Sequence, residues 1–191
     1  MKLILASQSP RRQELLGKLG TDFQIQVPDV DEQMDLLGDP AQQVAAVSLR
    51  KAQAVQAEPD DVVIAADTVV VCDGKILGKP KSTEHAAQML RMLSGRAHQV
   101  MTGLTVLQGN RQESCTEITT VHFKSLTDEE IARYVASGDP MDKAGAYGIQ
   151  SGATMFVEGI EGDYFNVVGL PLTELFEMIK ENFGISHHQM I

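Results

Sequence analysis

Two polar side chains, Asp67 and Thr68, sit inside the most apolar segment of the chain. Val62-Val63-Ile64-Ala65-Ala66 precedes them and Val69-Val70-Val71-Cys72 follows. A continuous apolar run reads as a central strand buried on both faces. The pattern predicts a strand from Val62 to Ala66 that passes Asp67-Thr68 and resumes at Val69. A carboxylate in such surroundings is paired, bound to a metal or shifted in pKa, unless it merely caps a turn at the strand end. The carboxyl ends of central strands are usual places for chemistry in open α/β sheets. Asp67 is therefore the first candidate for catalysis.

The remaining pattern interleaves strands and helices without strict alternation. Lys2 to Ala6 is a short apolar strand that runs into Ser7-Gln8-Ser9-Pro10-Arg11-Arg12. Ser9 as N-cap and Pro10 at the first helical position predict a helix to about Lys18. Phe23 to Val27 reads as a strand, and Asp39-Pro40 opens a helix to about Gln56. Asp73-Gly74 signals a hairpin into Lys75-Ile76-Leu77. Ser82 and Thr83 start a helix to about Leu93. Val100 to Leu107 and Glu117 to Phe123 read as antiparallel strands, and Thr127-Asp128-Glu129-Glu130 as a capping box for a helix to Ala136. Asp139 to Gly148 is irregular, Thr154 to Ile160 is a strand, Leu172 to Asn182 a closing helix, and His187 to Ile191 a frayed tail. The expected fold is α/β, with a mixed, largely antiparallel sheet flanked by helices in one domain over residues 1–191.

Charge and composition narrow the function classes. With 16 Lys+Arg against 26 Asp+Glu the net charge is −10. That argues against bulk binding to nucleic acid or an anionic membrane, so an anionic ligand must be met by a local cluster of cations. No stretch of about 18 apolar residues predicts a membrane span, and the first residues are too short an apolar run for a signal peptide. The absence of Trp, with 5% aromatics, disfavours a base-stacking platform. Cys72 and Cys115 share no metal-like spacing and read as buried thiols of a cytoplasmic protein. No phosphate-binding loop with Gly-Lys-Ser/Thr, dinucleotide glycine fingerprint, metalloprotease His pair or nucleophile elbow occurs.

Local cations do occur. Arg11 and Arg12 stand at a helix start, where they oppose the dipole unless an anion binds there or the pair is simply solvated. Lys51 shares the buried face of its predicted helix with Val44 and Val55, so it either snorkels or meets an anion. Glu32, in Asp29-Val30-Asp31-Glu32, could share a divalent cation with Asp67, or the acidic loop is only solvated. Lys79 follows the hairpin in Gly78-Lys79-Pro80. Gln150 ends the small-residue stretch Gly145-Ala146-Tyr147-Gly148-Ile149, where it could read a base edge.

Together, Ala6-Ser7-Gln8-Ser9-Pro10-Arg11-Arg12, Asp31-Glu32, Lys51, Ala66-Asp67-Thr68, Gly78-Lys79-Pro80, the stretch from Asp142 to Gln150 and Val168-Gly169-Leu170-Pro171 resemble the Maf family of nucleoside triphosphate pyrophosphatases. The resemblance implies a fold akin to the inosine triphosphate pyrophosphatases, with two lobes around a nucleotide cleft, and a homodimer. It implies hydrolysis of a nucleoside triphosphate to monophosphate and pyrophosphate with Mg²⁺ or Mn²⁺. Asp67 matches the proton acceptor, Ser7, Arg12, Lys51 and Lys79 the phosphate site, and Glu32 with Asp67 the metal site. Arg11, Thr68 and Gln150 match the specificity positions of the dTTP/UTP branch. The rival readings are a pyrophosphatase for 7-methyl-GTP or another non-standard nucleotide, and a nucleotide-sensing regulator of division.

Overall fold

The computed structural model describes residues 1–35 and 38–184; the tail from His187 to Ile191 lies outside the described residues. In chain order the regular elements are β1 (Leu3–Leu5), α1 (Pro10–Gly17), β2 (Gln24–Ile25), α2 (Pro40–Gln53), β3 (Val62–Cys72), β4 (Lys75–Leu77) and α3 (Thr83–Leu93). They continue with β5 (Ala97–Gln108), β6 (Arg111–Phe123), α4 (Asp128–Ala136), β7 (Val157–Glu161), α5 (Tyr164–Val168) and α6 (Leu172–Phe183). One mixed sheet runs β2-β1-β3-β5-β6-β7, with β4 also paired to β3. The β1–β2 and β1–β3 pairs are parallel and the others antiparallel. The expected mixed, mainly antiparallel α/β architecture is therefore present.

The sheet is split at its centre. On one edge β3 pairs with β5 without a break from Val63 to Val71. On its other edge β1 covers residues 62–64 and β4 covers residues 70–72. Among the described residues, 65–69 have no strand partner on that side. Because β1 is parallel to β3 and β4 antiparallel, both point their C-terminal ends into the gap. Ser7 follows β1 there, and Gly78-Lys79 follows β4.

Two expectations change. The polar pair does not interrupt β3, because β5 supplies a ladder partner to every residue across it, so Asp67 lies in mid-strand rather than at a strand end. Alternation in a strand then sends Asp67 and Thr68 to opposite faces of the sheet. The predicted strand from Thr154 to Ile160 begins instead with a 3₁₀ turn (Gly152–Phe156), and β7 pairs β6 only from Val157, across a bulge at His122/Phe123. The second strand is shorter than expected, since only Ile4 and Leu5 offer it partners. The single-turn helix α5 had no sequence signal in the pattern above.

The two faces of β3 and its neighbours bury four apolar clusters. Ile64, Leu15, Leu16, Leu170 and Leu175 pack under α1 and α6. Val70, Leu90, Val121, Phe123 and Phe156 pack under α3 and α4. The opposite face, through Val63, Ala65, Val69 and Val71, is covered by α2. The first two clusters flank the sheet gap on one side, and the hollow between them is the cleft.

His98 lies in the second cluster, 3% exposed, edge-on to Phe123 and Tyr147. Its Nε2 pairs with the Tyr147 hydroxyl at 2.7 Å, while Nδ1 has no partner. Burial, helped by nearby His122, lowers its pKa to about 4. The unfolded chain therefore binds a proton that the folded one refuses between pH 6.5 and 4. The stabilising contribution is complete above pH 6.5 and is lost as the pH falls toward 4, at a cost of roughly 3 kcal/mol. Urea unfolding across that interval will show a smaller loss in His98→Gln than in the unmodified protein; equal slopes would remove His98 as the cause.

Candidate active site

Helix α2 runs on the Asp67 face of the sheet. Asp39 caps it by accepting from the Ala41 and Gln42 amides, and Pro40 takes its first position. Its buried stripe includes Val44, Val47, Ser48 and Lys51. The helix approaches because β5 carries Gly103 opposite Asp67 in the ladder. A Cβ on Gly103 would lie 2.3 Å from the Val44 carbonyl oxygen and 2.6 Å from the Ala45 nitrogen. Only a residue without a side chain permits that contact.

This approach brings Lys51 onto Asp67. Lys51 Nζ lies 2.7 Å from Asp67 Oδ1 and 2.9 Å from Glu32 Oε1, with side-chain exposures of 8%, 12% and 55% in that order. Of the two readings of Lys51, partner anions and not snorkelling hold. Arg50 points away and donates from Nε to the Asp31 carbonyl oxygen at 3.1 Å, which ties the acidic loop to α2 and delivers Glu32. The ammonium has three donors, and these two carboxylates use two of them. The third is available to a ligand oxygen.

Arg12 enters from the other face. Ser9 occupies the N-cap position of α1 but makes no side-chain cap bond; its own amide donates to Ser7 Oγ. Arg12 donates from Nε to the Gly169 carbonyl at 2.7 Å, from Nη1 to Ser7 Oγ at 3.3 Å and from Nη2 to Thr68 Oγ1 at 3.0 Å. Burial lowers its pKa and the Asp67 charge pulls it back, and the guanidinium stays cationic. Thr68 Oγ1 is also 2.9 Å from Thr102 Oγ1, which donates onward to the Asn166 carbonyl at 3.2 Å. Thr68 thus acts on the cleft through the placement of Arg12. Arg11 diverges from Arg12 and meets Asp142 at 3.5 Å. Neither arginine is simply solvated.

A cleft of about 1080 Å³ passes through the sheet gap and is lined by Ser7, Arg11, Arg12, Glu32, Lys51, Asp67, Thr68, Lys79 and Gln150. Every residue named for catalysis, phosphate, metal or specificity borders this one hollow, although they come from both faces of the sheet. Lys79 and Gln150 are exposed within it. A hollow of this size holds a nucleotide. For a divalent cation the donors are the two carboxylates of Asp67 and Glu32. Among the described residues no group of three or more His, Cys, Asp or Glu gathers as a metal cage. Two carboxylates suit Mg²⁺ or Mn²⁺ whose remaining positions are filled by water and ligand oxygens.

The sequence model of the family described as Maf-like protein matches residues 2–182. The chain belongs to the Maf family. It is 54% identical over 180 residues to the dTTP/UTP pyrophosphatase of Geobacillus sp. (strain WCH70), covering 94% of this chain and 97% of that one. It is 53% identical over 187 residues to the dTTP/UTP pyrophosphatase of Moorella thermoacetica, covering 96% of each. The enzyme of that name from Vibrio parahaemolyticus is 51% identical over 183 residues. Among solved structures, the Staphylococcus aureus Ham1 protein superposes with a TM-score of 0.46 at 14% identity, over 82% of this chain and 91% of that one.

In this Maf chain several residues shape the cleft without having been singled out as site candidates. Gly103 admits α2, and Gly169, at φ 124°, lets its carbonyl face Arg12, with Thr68 and Arg12 the nearest atoms to where a side chain would start. A glycine inside a strand is the sequence signal for a close backbone approach. Thr102 and Asn166 carry no such signal. The cysteines lie apart from the cleft lining and are unpaired. Cys72 is buried as expected, whereas Cys115 is half-buried at the edge of the first cluster; burial still pushes its thiol up to about 12. Among the described residues no helix is long and apolar enough to cross a membrane.

Proposed function

We propose that this chain hydrolyses dTTP and UTP to the nucleoside monophosphate and pyrophosphate. The observation that carries the reading is the convergence, in one cleft, of a buried carboxylate and cations from three separate segments. It is supported by relatives named for that reaction at about half identity over nearly the whole chain. The protein's charge of −10 repels a polyanion at long range, so the cleft has to attract it locally.

Arg12, Lys51, Lys79 and the Ser7 hydroxyl hold the phosphate groups and offset their charge as the bond between the α- and β-phosphates breaks. Asp67 orients a water in line with that bond and accepts its proton. Lys51 keeps Asp67 aimed through their 2.7 Å contact, and it offers its remaining N–H to a phosphate oxygen. Asp67 and Glu32 would hold a Mg²⁺ or Mn²⁺ ion, which would supply charge neutralisation between carboxylates and phosphates. Arg11 and Gln150 meet the base, with Thr68 between them and the phosphate end, where it holds Arg12 in place. A base that mismatches such polar groups leaves them unpaired, which is a strong source of discrimination.

Pyrophosphate release from a panel of nucleoside triphosphates with Mg²⁺ or Mn²⁺ tests this. The expected result is a kcat/KM for dTTP and UTP at least about tenfold above that for dCTP, GTP and 7-methyl-GTP. Preference for 7-methyl-GTP would move the chain to the rival branch. Binding without release of pyrophosphate from any of them would favour the sensing regulator.

A further inference from the structure

Next to the base-reading candidates lies a second ionic cluster, built around the buried Lys143, that has no part in the phosphate chemistry proposed above. Lys143, whose side chain is 10% exposed, directs its ammonium at Asp139 Oδ1 (3.0 Å), the Asp139 carbonyl (2.6 Å) and Asp142 Oδ1 (2.7 Å). These acceptors use all three of its donors, so Lys143 has none left for a substrate. The other oxygen of Asp139 accepts from Tyr134 Oη at 2.6 Å and from Ser151 Oγ at 2.5 Å. Tyr134 Oη in turn accepts the Gly148 amide at 3.2 Å, and Ser151 Oγ lies 3.1 Å from the Gly148 carbonyl. The 148–151 turn, which carries Gln150, is thus clamped at both ends by one carboxylate. Its packing is close: a Cβ on Gly148 would lie 2.6 Å from Lys143 Cε and 2.7 Å from Ser151 Oγ. From the same cluster Asp142 reaches Arg11 on α1, over the mouth of the cleft.

Burying a lysine among carboxylates gives little net stability, because desolvation offsets the attraction. What such a cluster supplies is a fixed geometry. Burial pushes the Asp139 carboxyl up, but the bonds from Ser151, Tyr134 and Lys143 outweigh it and hold the group below its ordinary value, so it stays an anion able to serve all three donors.

We propose that Asp139 is the positioning residue for the base end of the cleft: it fixes the 148–151 turn that presents Gln150 and, through Lys143 and Asp142, the place of Arg11. This rests on the pyrophosphatase reading and adds how its base preference is built. Tyr134 and Ser151 are the arms of the clamp. Among the described residues none of the three is hydrogen-bonded to Ser7, Arg12, Lys51, Asp67 or Lys79, so their loss acts on base discrimination and not on bond breaking.

The test is steady-state kinetics with dTTP and GTP on Asp139→Asn, Tyr134→Phe and Ser151→Ala. An amide at position 139 cannot accept from Tyr134, Ser151 and Lys143 together. The Phe variant keeps the ring that packs edge-on to Phe156 and removes only the hydroxyl, so it stays informative if Asp139→Asn fails to fold. The expected result is a KM for dTTP raised about tenfold with kcat changed less than about threefold. The dTTP-over-GTP ratio of kcat/KM should collapse by about the same tenfold. Asp139→Glu, which keeps the charge but moves it by a methylene, should not restore the ratio. A folded Tyr134→Phe and Ser151→Ala that both retain the parent ratio would overturn the inference while leaving the pyrophosphatase reading intact. Failure of the unmodified protein to release pyrophosphate from any triphosphate would overturn both.

Discussion

Asp67→Asn will leave the chain folded and lower pyrophosphate release from dTTP by on the order of 10²–10⁴-fold. The amide matches the carboxylate in size and still accepts from Lys51 through its oxygen. Lys51 is not stranded, because Glu32 remains 2.9 Å away. Removing one member of a wholly isolated buried pair costs about 3–5 kcal/mol. Here the second carboxylate keeps the loss below that range. What the amide cannot do is take a proton from water. Turnover of dTTP by the variant within about threefold of the parent, with an unchanged melting transition, would show that Asp67 is not the base.

Gly103→Ala will drive a methyl group closer to backbone than at any other described glycine. Its Cβ would lie 2.3 Å from Val44 O and 2.5 Å from Val44 C, both backbone atoms that no rotamer change can move. Helix α2 must slide or tilt away, and Lys51 travels with it. The expected stability loss is about 1–3 kcal/mol, the usual range for overpacking. The expected loss in kcat/KM is on the order of 10²-fold, since a misplacement of about 1 Å at a catalytic group has that effect. Gly159→Ala, where nothing lies within 4 Å of the added carbon, serves as the control and should change neither stability nor rate. Equal behaviour of the two variants in urea unfolding and dTTP turnover would show that α2 tolerates the displacement.

Much of the site was readable before any coordinates. Asp67 declared itself by its apolar neighbours, since a lone carboxylate in such a run needs a partner. Lys51 declared itself by helical periodicity, which placed it on the face of Val44 and Val55; the structure supplies both of its anions. The caps at Asp39, Ser82 and Thr127 were equally local, and each forms. Other features were unreadable because their cause is remote in the chain. Nothing between Val62 and Cys72 reveals that β5 pairs straight across Asp67 and Thr68. Thr102 and Asn166 look like ordinary strand and loop residues until Arg12, about ninety or more positions earlier, is laid beside them. Asp139 lay in a stretch that looked merely irregular, and its three donors come from α4, from the residue between two 3₁₀ turns and from the turn that ends at Ser151.

Local chemistry was enough to choose the residues: which carboxylate is buried, which lysine faces inward and where each helix starts all depend on neighbours within a few positions. The convergence of those residues was decided elsewhere. It depends on β1 and β4 sharing one edge of β3 and leaving residues 65–69 uncovered. Through that opening, side chains on opposite faces of the sheet meet in one cleft. Strand partnership and register are set by contacts between segments far apart in the chain, and no short stretch carries that information.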